Sequence, residues 1–185
     1  MEYVSVFETE LGPGIVTASE KGICKVDLPC PGVCRSQAQP VPDAGNASPL
    51  TEQAAEMLKF YFKGEPQPFD SLPVDLSSMS DFKTRVLLLI RAIPHGEVKS
   101  YGQVAAMAGM PRAFRAIGGV LAANPVPIII PCHRVVGSNG NLTGYSAPGG
   151  LHLKKIILLM EHIEFAGDTV HMKKESYKQA KIGMN

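Results

Sequence analysis

The chain has 185 residues, 45% hydrophobic and 19% charged, a composition that builds a core and excludes a disordered or fibrous protein. No stretch is apolar for long enough to span a bilayer, and the first residues lack a signal-peptide pattern. A cytoplasmic protein (nuclear if the cell is eukaryotic) with no membrane association is expected, its four cysteines present as thiols. The net charge of +1 hides an asymmetry, with 5 Lys/Arg against 11 Asp/Glu in residues 1–80 and 13 against 6 in residues 81–185. A basic half of this kind either attracts a polyanion, nucleic acid above all, or neutralises the acidic half across an interface.

Residues 3–9 alternate apolar and polar side chains and suit a half-buried strand. Leu11-Gly12-Pro13-Gly14 is a turn, and residues 15–18 and 23–28 give two more strands of a small antiparallel sheet. Residues 29–49 hold five prolines and few large apolar residues, the signature of a loop. Ser48-Pro49 then opens a helix, Ser as N-cap and Pro at the first helical position, with Leu50, Ala54, Met57, Leu58 and Tyr61 at helical spacing. Gly64 ends it, and residues 66–76 read as an irregular or extended crossover. Cys24, Cys30 and Cys34 flank the first prolines, but a zinc site needs a fourth ligand and no histidine lies nearby, so no metal is expected.

The second half is mostly helical. Ser80 caps a helix over residues 81–93, and Pro94 stops it. Ser100-Tyr101-Gly102-Gln103 has the form of a capping box, so a helix starts at Tyr101 and ends at Gly109. Pro111 opens the next helix, which carries Arg112 and Arg115 and no acid. The pair is either a helix-turn-helix for nucleic acid or a tight helical corner. Residues 151–163 form an apolar helix, to be buried, with Glu161 near its end. That acid either faces water or has a buried partner. Residues 165–185 are a polar, Lys-rich tail expected to fray. The organisation is thus an N-terminal domain over 1–77, a second domain over 78–164 and the tail.

The segment Ile130-Pro131-Cys132-His133-Arg134-Val135-Val136 stands out. Cys132 is either a packed thiol or a nucleophile. Pro131 sets the backbone before it, and His133 and Arg134 place polarity where a core strand would carry valine.

Pro131-Cys132-His133-Arg134-Val135, with Gly144-Tyr145-Ser146 and Gly149-Gly150-Leu151, resembles the O6-alkylguanine-DNA alkyltransferase family. The resemblance extends through Gly96-Glu97-Val98, Ser100-Tyr101, Arg115-Ala116-Ile117-Gly118-Gly119 and Asn124-Pro125-Val126-Pro127. It implies an α+β fold, with an N-terminal ribonuclease H-like sheet and helix and a mostly helical, winged-helix-like C-terminal domain bearing a helix-turn-helix. It also implies a monomer that binds double-stranded DNA through the minor groove and flips out O6-alkylguanine. The alkyl group then passes irreversibly to Cys132, once per molecule and without a cofactor.

By the same resemblance His133, through a water, takes the Cys132 proton and Glu161 orients His133. Tyr101 crowds the 3′ phosphate and can donate a proton to guanine. Arg115 fills the gap left by the flipped base, Ser100 contacts phosphate, and Arg112 and Phe114 lie on the DNA-facing helix. Asn124 ties down the cysteine loop, Pro127 and Tyr145 flank the alkyl group, and Val135 and Ser146 offer contacts to the guanine edge. Two departures stand out. Ala147-Pro148 lengthens the loop at the lip of the guanine pocket, and Phe114 takes the place of a small residue, either packing inward or wedging against bases. Two other readings compete: an alkylguanine-recognition module without transfer, and a cysteine hydrolase or thiol-redox enzyme, which would turn over.

Overall fold

Three strands open the chain, β1 (Tyr3–Thr9), β2 (Gly12–Ser19) and β3 (Gly22–Asp27), in an antiparallel sheet of order β1-β2-β3. Their alternation buries Phe7, Val16, Ala18, Ile23 and Val26 on one face. The structure, a computed structural model, describes residues 1–29 and 46–171. Most of the proline-rich loop, with Cys30 and Cys34, lies outside the described residues, as does the end of the tail.

Helix α1 (Pro49–Tyr61) lies against this sheet. Ser48 caps it as expected, accepting from the Thr51 amide while the Thr51 hydroxyl returns to the Ser48 amide, a reciprocal box that saves two amides from going unpaired. Helix α1 delivers Tyr61, its last residue, into the interior. The crossover behind it contains a short 3-10 turn (Phe69–Ser71) and a parallel bridge from Val74 to Ile23.

Helix α2 (Asp81–Arg91), strand β4 (Lys99–Ser100), α3 (Tyr101–Met107) and α4 (Phe114–Ala122) follow. The Ser100–Gln103 capping box is present. Helix α4 starts three residues later than Pro111 implied. Residues 111–112 form a turn, Ala113 is an N-cap with no side-chain bond, and Arg112 sits in the turn rather than on the helix. Gly109, at φ +75°, lets α3 end tightly enough for this turn. The cysteine segment is a 3-10 turn (Cys132–Arg134) running into β5 (Val135–Val136), which pairs in parallel with β4. Helix α5 (Gly150–Met160) is shorter than the apolar run suggested, with Glu161 at its C-cap.

The tail does not fray at its start. Strands β6 (Phe165–Ala166) and β7 (Thr169–Val170) make a hairpin around Gly167, and Val170 is buried with Val136, Leu158 and Ile163. Lys155 reinforces it with a 2.7 Å contact to Asp168. Composition hid this because the lysines lie mostly beyond residue 171, while Phe165 and Val170 supply enough apolar surface to dock.

One buried apolar cluster runs from Phe7 and Val16 through Leu58 and Ile90 to Ile130 and Ile157, so the two halves share a core. Backbone bonds also cross between them, with the Val26 amide donating to the Pro125 carbonyl at 2.9 Å. Arg91 Nη2 donates to the carbonyls of Phe69 and Leu72 at 2.9 and 2.6 Å. This seam is where the cysteine loop sits.

Candidate active site

The loop before Cys132 is held under tension. Ile128, fully buried, has φ +72°, a left-handed conformation that a β-branched residue rarely adopts and that costs about 1–3 kcal/mol. Asn124 spans the loop, its Nδ2 donating to the Ile130 carbonyl at 2.9 Å and its Oδ1 accepting from the Val126 amide at 3.2 Å. The loop therefore has one shape, and it places Cys132 at the start of a 3-10 turn. Through β5 and its ladder with β4, that turn is tied to Ser100 and Tyr101 at the head of the helix-turn-helix.

Cys132 lines a cleft of about 550 Å³ between β3 and the cysteine loop. Asn124, Pro127, Tyr145, Ser146 and the Ala147-Pro148 pair share that lining. Tyr145 turns its hydroxyl inward, buried and without a hydrogen-bond partner among the described residues, as a group awaiting a ligand would be. Val135 does not reach the cleft. It is fully buried, and its carbonyl accepts from Lys154 Nζ at 2.6 Å.

Behind the thiol lies a buried polar cluster. Glu161, 1% exposed, does not face water. Its Oε1 accepts from Tyr61 Oη at 2.5 Å, His133 Nε2 at 2.9 Å and Arg134 Nη2 at 2.7 Å, and its Oε2 from Arg134 Nε at 2.8 Å. Arg134 Nη1 also donates to the Ile93 carbonyl. Burial alone would raise the Glu161 pKa, but His133 and Arg134 outweigh it and hold the carboxyl well below the usual carboxylate range.

His133 is lowered from its ordinary value, by burial first and against the pull of Glu161, a shift that favours the neutral imidazole. Because the ionised carboxylate can only accept, the proton of neutral His133 sits on Nε2 and Nδ1 is bare. Nδ1 is buried and has no hydrogen-bond partner among the described residues. A base without a bound proton thus stands next in sequence to the thiol.

Burial pushes the Cys132 thiol up, while the Asn124 amide and the Lys154 ammonium pull it down. Lys154 is itself fully buried on α5, donating to the Val135 and Thr143 carbonyls, with its pKa brought down to about 8 by desolvation. The resting state is a thiol beside a neutral base, with a positive charge ready for a thiolate. Tyr101 lies outside the lining of the cleft, its hydroxyl donating to the Thr143 carbonyl at 3.2 Å. Its pKa is raised, by burial first and then by Cys132.

Arg115, on the first turn of α4, is exposed, and so is Arg112 in the preceding turn. Phe114 points outward, 49% exposed, with the Arg115 guanidinium 5.9 Å from its ring centroid. Ser100 is buried and uses its hydroxyl to cap α3. Cys24 is half-buried at the far end of the cleft, its Sγ 3.5 Å from the Thr17 carbonyl. Among the described residues no group of three or more His, Cys, Asp or Glu is arranged to hold a metal. Sequence reasoning missed Tyr61, Arg134 and Lys154. Arg134 adjoins the cysteine and histidine, so its position was a signal. Tyr61 and Lys154 sit at ordinary helical positions and carried none.

Family models match both parts of the chain. The ribonuclease-like domain of 6-O-methylguanine DNA methyltransferase matches residues 3–76 and the DNA binding domain matches residues 81–163. A methylated-DNA–protein-cysteine methyltransferase of Methanosarcina acetivorans is 35% identical over 161 residues, covering 86% of this chain and 97% of that protein. A protein of the same name from Mycolicibacterium paratuberculosis is 45% identical over 108 residues, or 58% of this chain and 63% of the relative. The crystal structure of Mycobacterium tuberculosis OGT in complex with DNA superposes with a TM-score of 0.71 at 34% identity, covering 86% of this chain and 93% of the other. The chain belongs to the 6-O-methylguanine DNA methyltransferase family.

Proposed function

We propose that this protein repairs DNA by direct reversal, taking O6-alkylguanine flipped out of a duplex and moving the alkyl group onto Cys132. The observation that carries this reading is a buried thiol on a cleft wall, backed by a histidine whose Nε2 is held by a fully bonded carboxylate and whose Nδ1 is left bare. The Cys132 proton passes through a water to Nδ1 of His133, and Glu161 stabilises the imidazolium while Lys154 stabilises the thiolate. Sulfur attacks the alkyl carbon in line. A carbon–sulfur bond forms as the carbon–oxygen bond to guanine breaks; guanine, leaving with the electron pair, takes a proton from Tyr101, and the Tyr101 phenolate recovers one from the His133 imidazolium through solvent. The thioether is stable, so each molecule acts once.

DNA contact falls to α4 and the turn before it. Arg115 occupies the space of the flipped base from the minor groove, where an aromatic wedge such as Phe114 can part a base step. Arg112 lies at a phosphate, Ser100 shapes the head of α3 that faces the backbone rather than reaching it with its buried hydroxyl, Asn124 fixes the loop, and Pro127 and Tyr145 flank the alkyl group. Ser146 meets the guanine edge, and Val135 serves that edge through the shape of its strand. Residues 1–77 and 78–164 form the two domains, a division that the two family matches support although one core crosses it. The protein acts as a monomer without cofactor. No helix of the described residues is long and apolar enough to cross a membrane, and the compartment proposed is the cytoplasm, or the nucleus of a eukaryote.

Stoichiometry tests the proposal. With methylated duplex in excess, guanine restored should stop at one equivalent per protein. Continued turnover would point to a cysteine hydrolase, and tight binding with no restored guanine to a recognition module.

A further inference from the structure

Tyr61 belongs to the N-terminal helix, 72 residues from His133 and 100 from Glu161 along the chain, yet it touches both. Its hydroxyl is 2.5 Å from Glu161 Oε1 and 3.3 Å from His133 Nε2. The side chain is 2% exposed, and its ring is fixed edge-on between Phe62 and Phe69, with centroids 5.7 and 5.6 Å away. Each part of this geometry constrains the others. Glu161 Oε1 can only accept, so both Tyr61 Oη and His133 Nε2 must donate to it. The Tyr61 oxygen, having spent its proton, can accept a share of the Nε2 proton from the other side.

We propose that Tyr61 is a positioning residue for the chemistry at Cys132, holding the Glu161 carboxylate and the His133 ring so that Nδ1 stays the bare base. This rests on the alkyl-transfer reading and adds a part to it: the N-terminal half supplies one hydroxyl of the cysteine's relay. A packing residue at this place needs only a ring. The hydroxyl is retained inside an apolar core, where it requires partners, and its partners are these two groups. It also acts electrostatically. By donating to Oε1 it draws off part of the negative charge that Glu161 presents to His133, and so keeps the imidazole from taking a proton from solvent. His133 is faced as well by Arg134 and Lys154 and adjoins Cys132, while His95 and Tyr145 feel the Glu161 charge.

The test compares Tyr61→Phe, which keeps the ring, with Phe69→Leu, which loosens the packing and keeps the hydroxyl. The rate of Cys132 alkylation is followed from pH 5 to 9 with free O6-benzylguanine and separately with iodoacetamide, alongside thermal unfolding and affinity for undamaged duplex. With the hydroxyl gone, Glu161 makes His133 more basic, and the acid limb of both profiles should move up by about half to one pH unit. DNA affinity should not change. Phe69→Leu should lower the melting temperature and leave the limb in place. An unmoved limb in Tyr61→Phe, or equal movement in both variants, overturns the positioning role. Wild-type protein that reacts with iodoacetamide but not with O6-benzylguanine would overturn the alkyl-transfer reading instead, and the iodoacetamide profile would still decide the role of Tyr61.

Discussion

Glu161→Gln keeps the shape of the side chain and removes its charge. Four donors converge on the wild-type carboxylate, two of them from an Arg134 side chain that is only 9% exposed. Glutamine offers them one oxygen and an amide that itself donates, so Arg134 keeps a buried charge without its counter-ion. Removing one partner of a buried pair costs about 3–5 kcal/mol, against a total stability of about 5–15 kcal/mol for a domain. The variant should fold but be marginal at pH 7. The pH dependence has a definite sign. Burial raises the Glu161 pKa, but His133 and Arg134 carry it well below its ordinary 4.5, so its contribution is complete above about 4.5 and is lost as pH falls towards the folded value. Glutamine does not titrate. Urea unfolding of both proteins from pH 7 to pH 3 should therefore show a gap that is widest at neutral pH and narrows in acid. A gap under about 1 kcal/mol at pH 7, the scale of an exposed ion pair, would refute the reasoning. So would a gap that is constant with pH.

Arg115→Ala removes an exposed side chain at the head of α4 and should leave stability within about 0.5 kcal/mol of wild type. Repair of duplex should slow by about 10- to 100-fold, the equivalent of about 1.4–3 kcal/mol, while reaction with free O6-benzylguanine is unchanged; equal losses on both substrates would remove the finger role. Lys154→Met takes away a buried positive charge that favours the Cys132 thiolate. The pH at which iodoacetamide half-labels Cys132 should rise, and an unmoved midpoint would mean that Lys154 only braces the Val135 and Thr143 carbonyls.

Much of this molecule can be read from local signals. Ser48-Pro49 and Ser100-x-x-Gln103 announce helix starts because capping is a matter of a few adjacent atoms, and both caps form as expected, the reciprocal bond from Thr51 to Ser48 coming in addition. The strand alternation of residues 3–28 reports a sheet with one buried face. Pro111 misled because proline also suits a turn, and here the Gly109 bend and the turn at 111–112 delay α4 to Phe114. Lys154 looks like a surface charge from its residue type, and the residues alone leave Glu161 open to water or a buried partner, since burial of charge depends on partners brought together by the fold. Tyr61 lies furthest from legibility. Its helical spacing marks it as core, and only the packing of α1 against the cysteine turn reveals what its hydroxyl touches.

The central claim is tested most directly by peptide mass spectrometry after incubation with a duplex containing O6-methylguanine, with Cys132→Ala as the control. The account predicts one methyl group on the peptide bearing Cys132, unmodified guanine in the DNA, and neither product with the variant, which should still bind duplex. A methyl group on another residue, or guanine restored by Cys132→Ala, would contradict it.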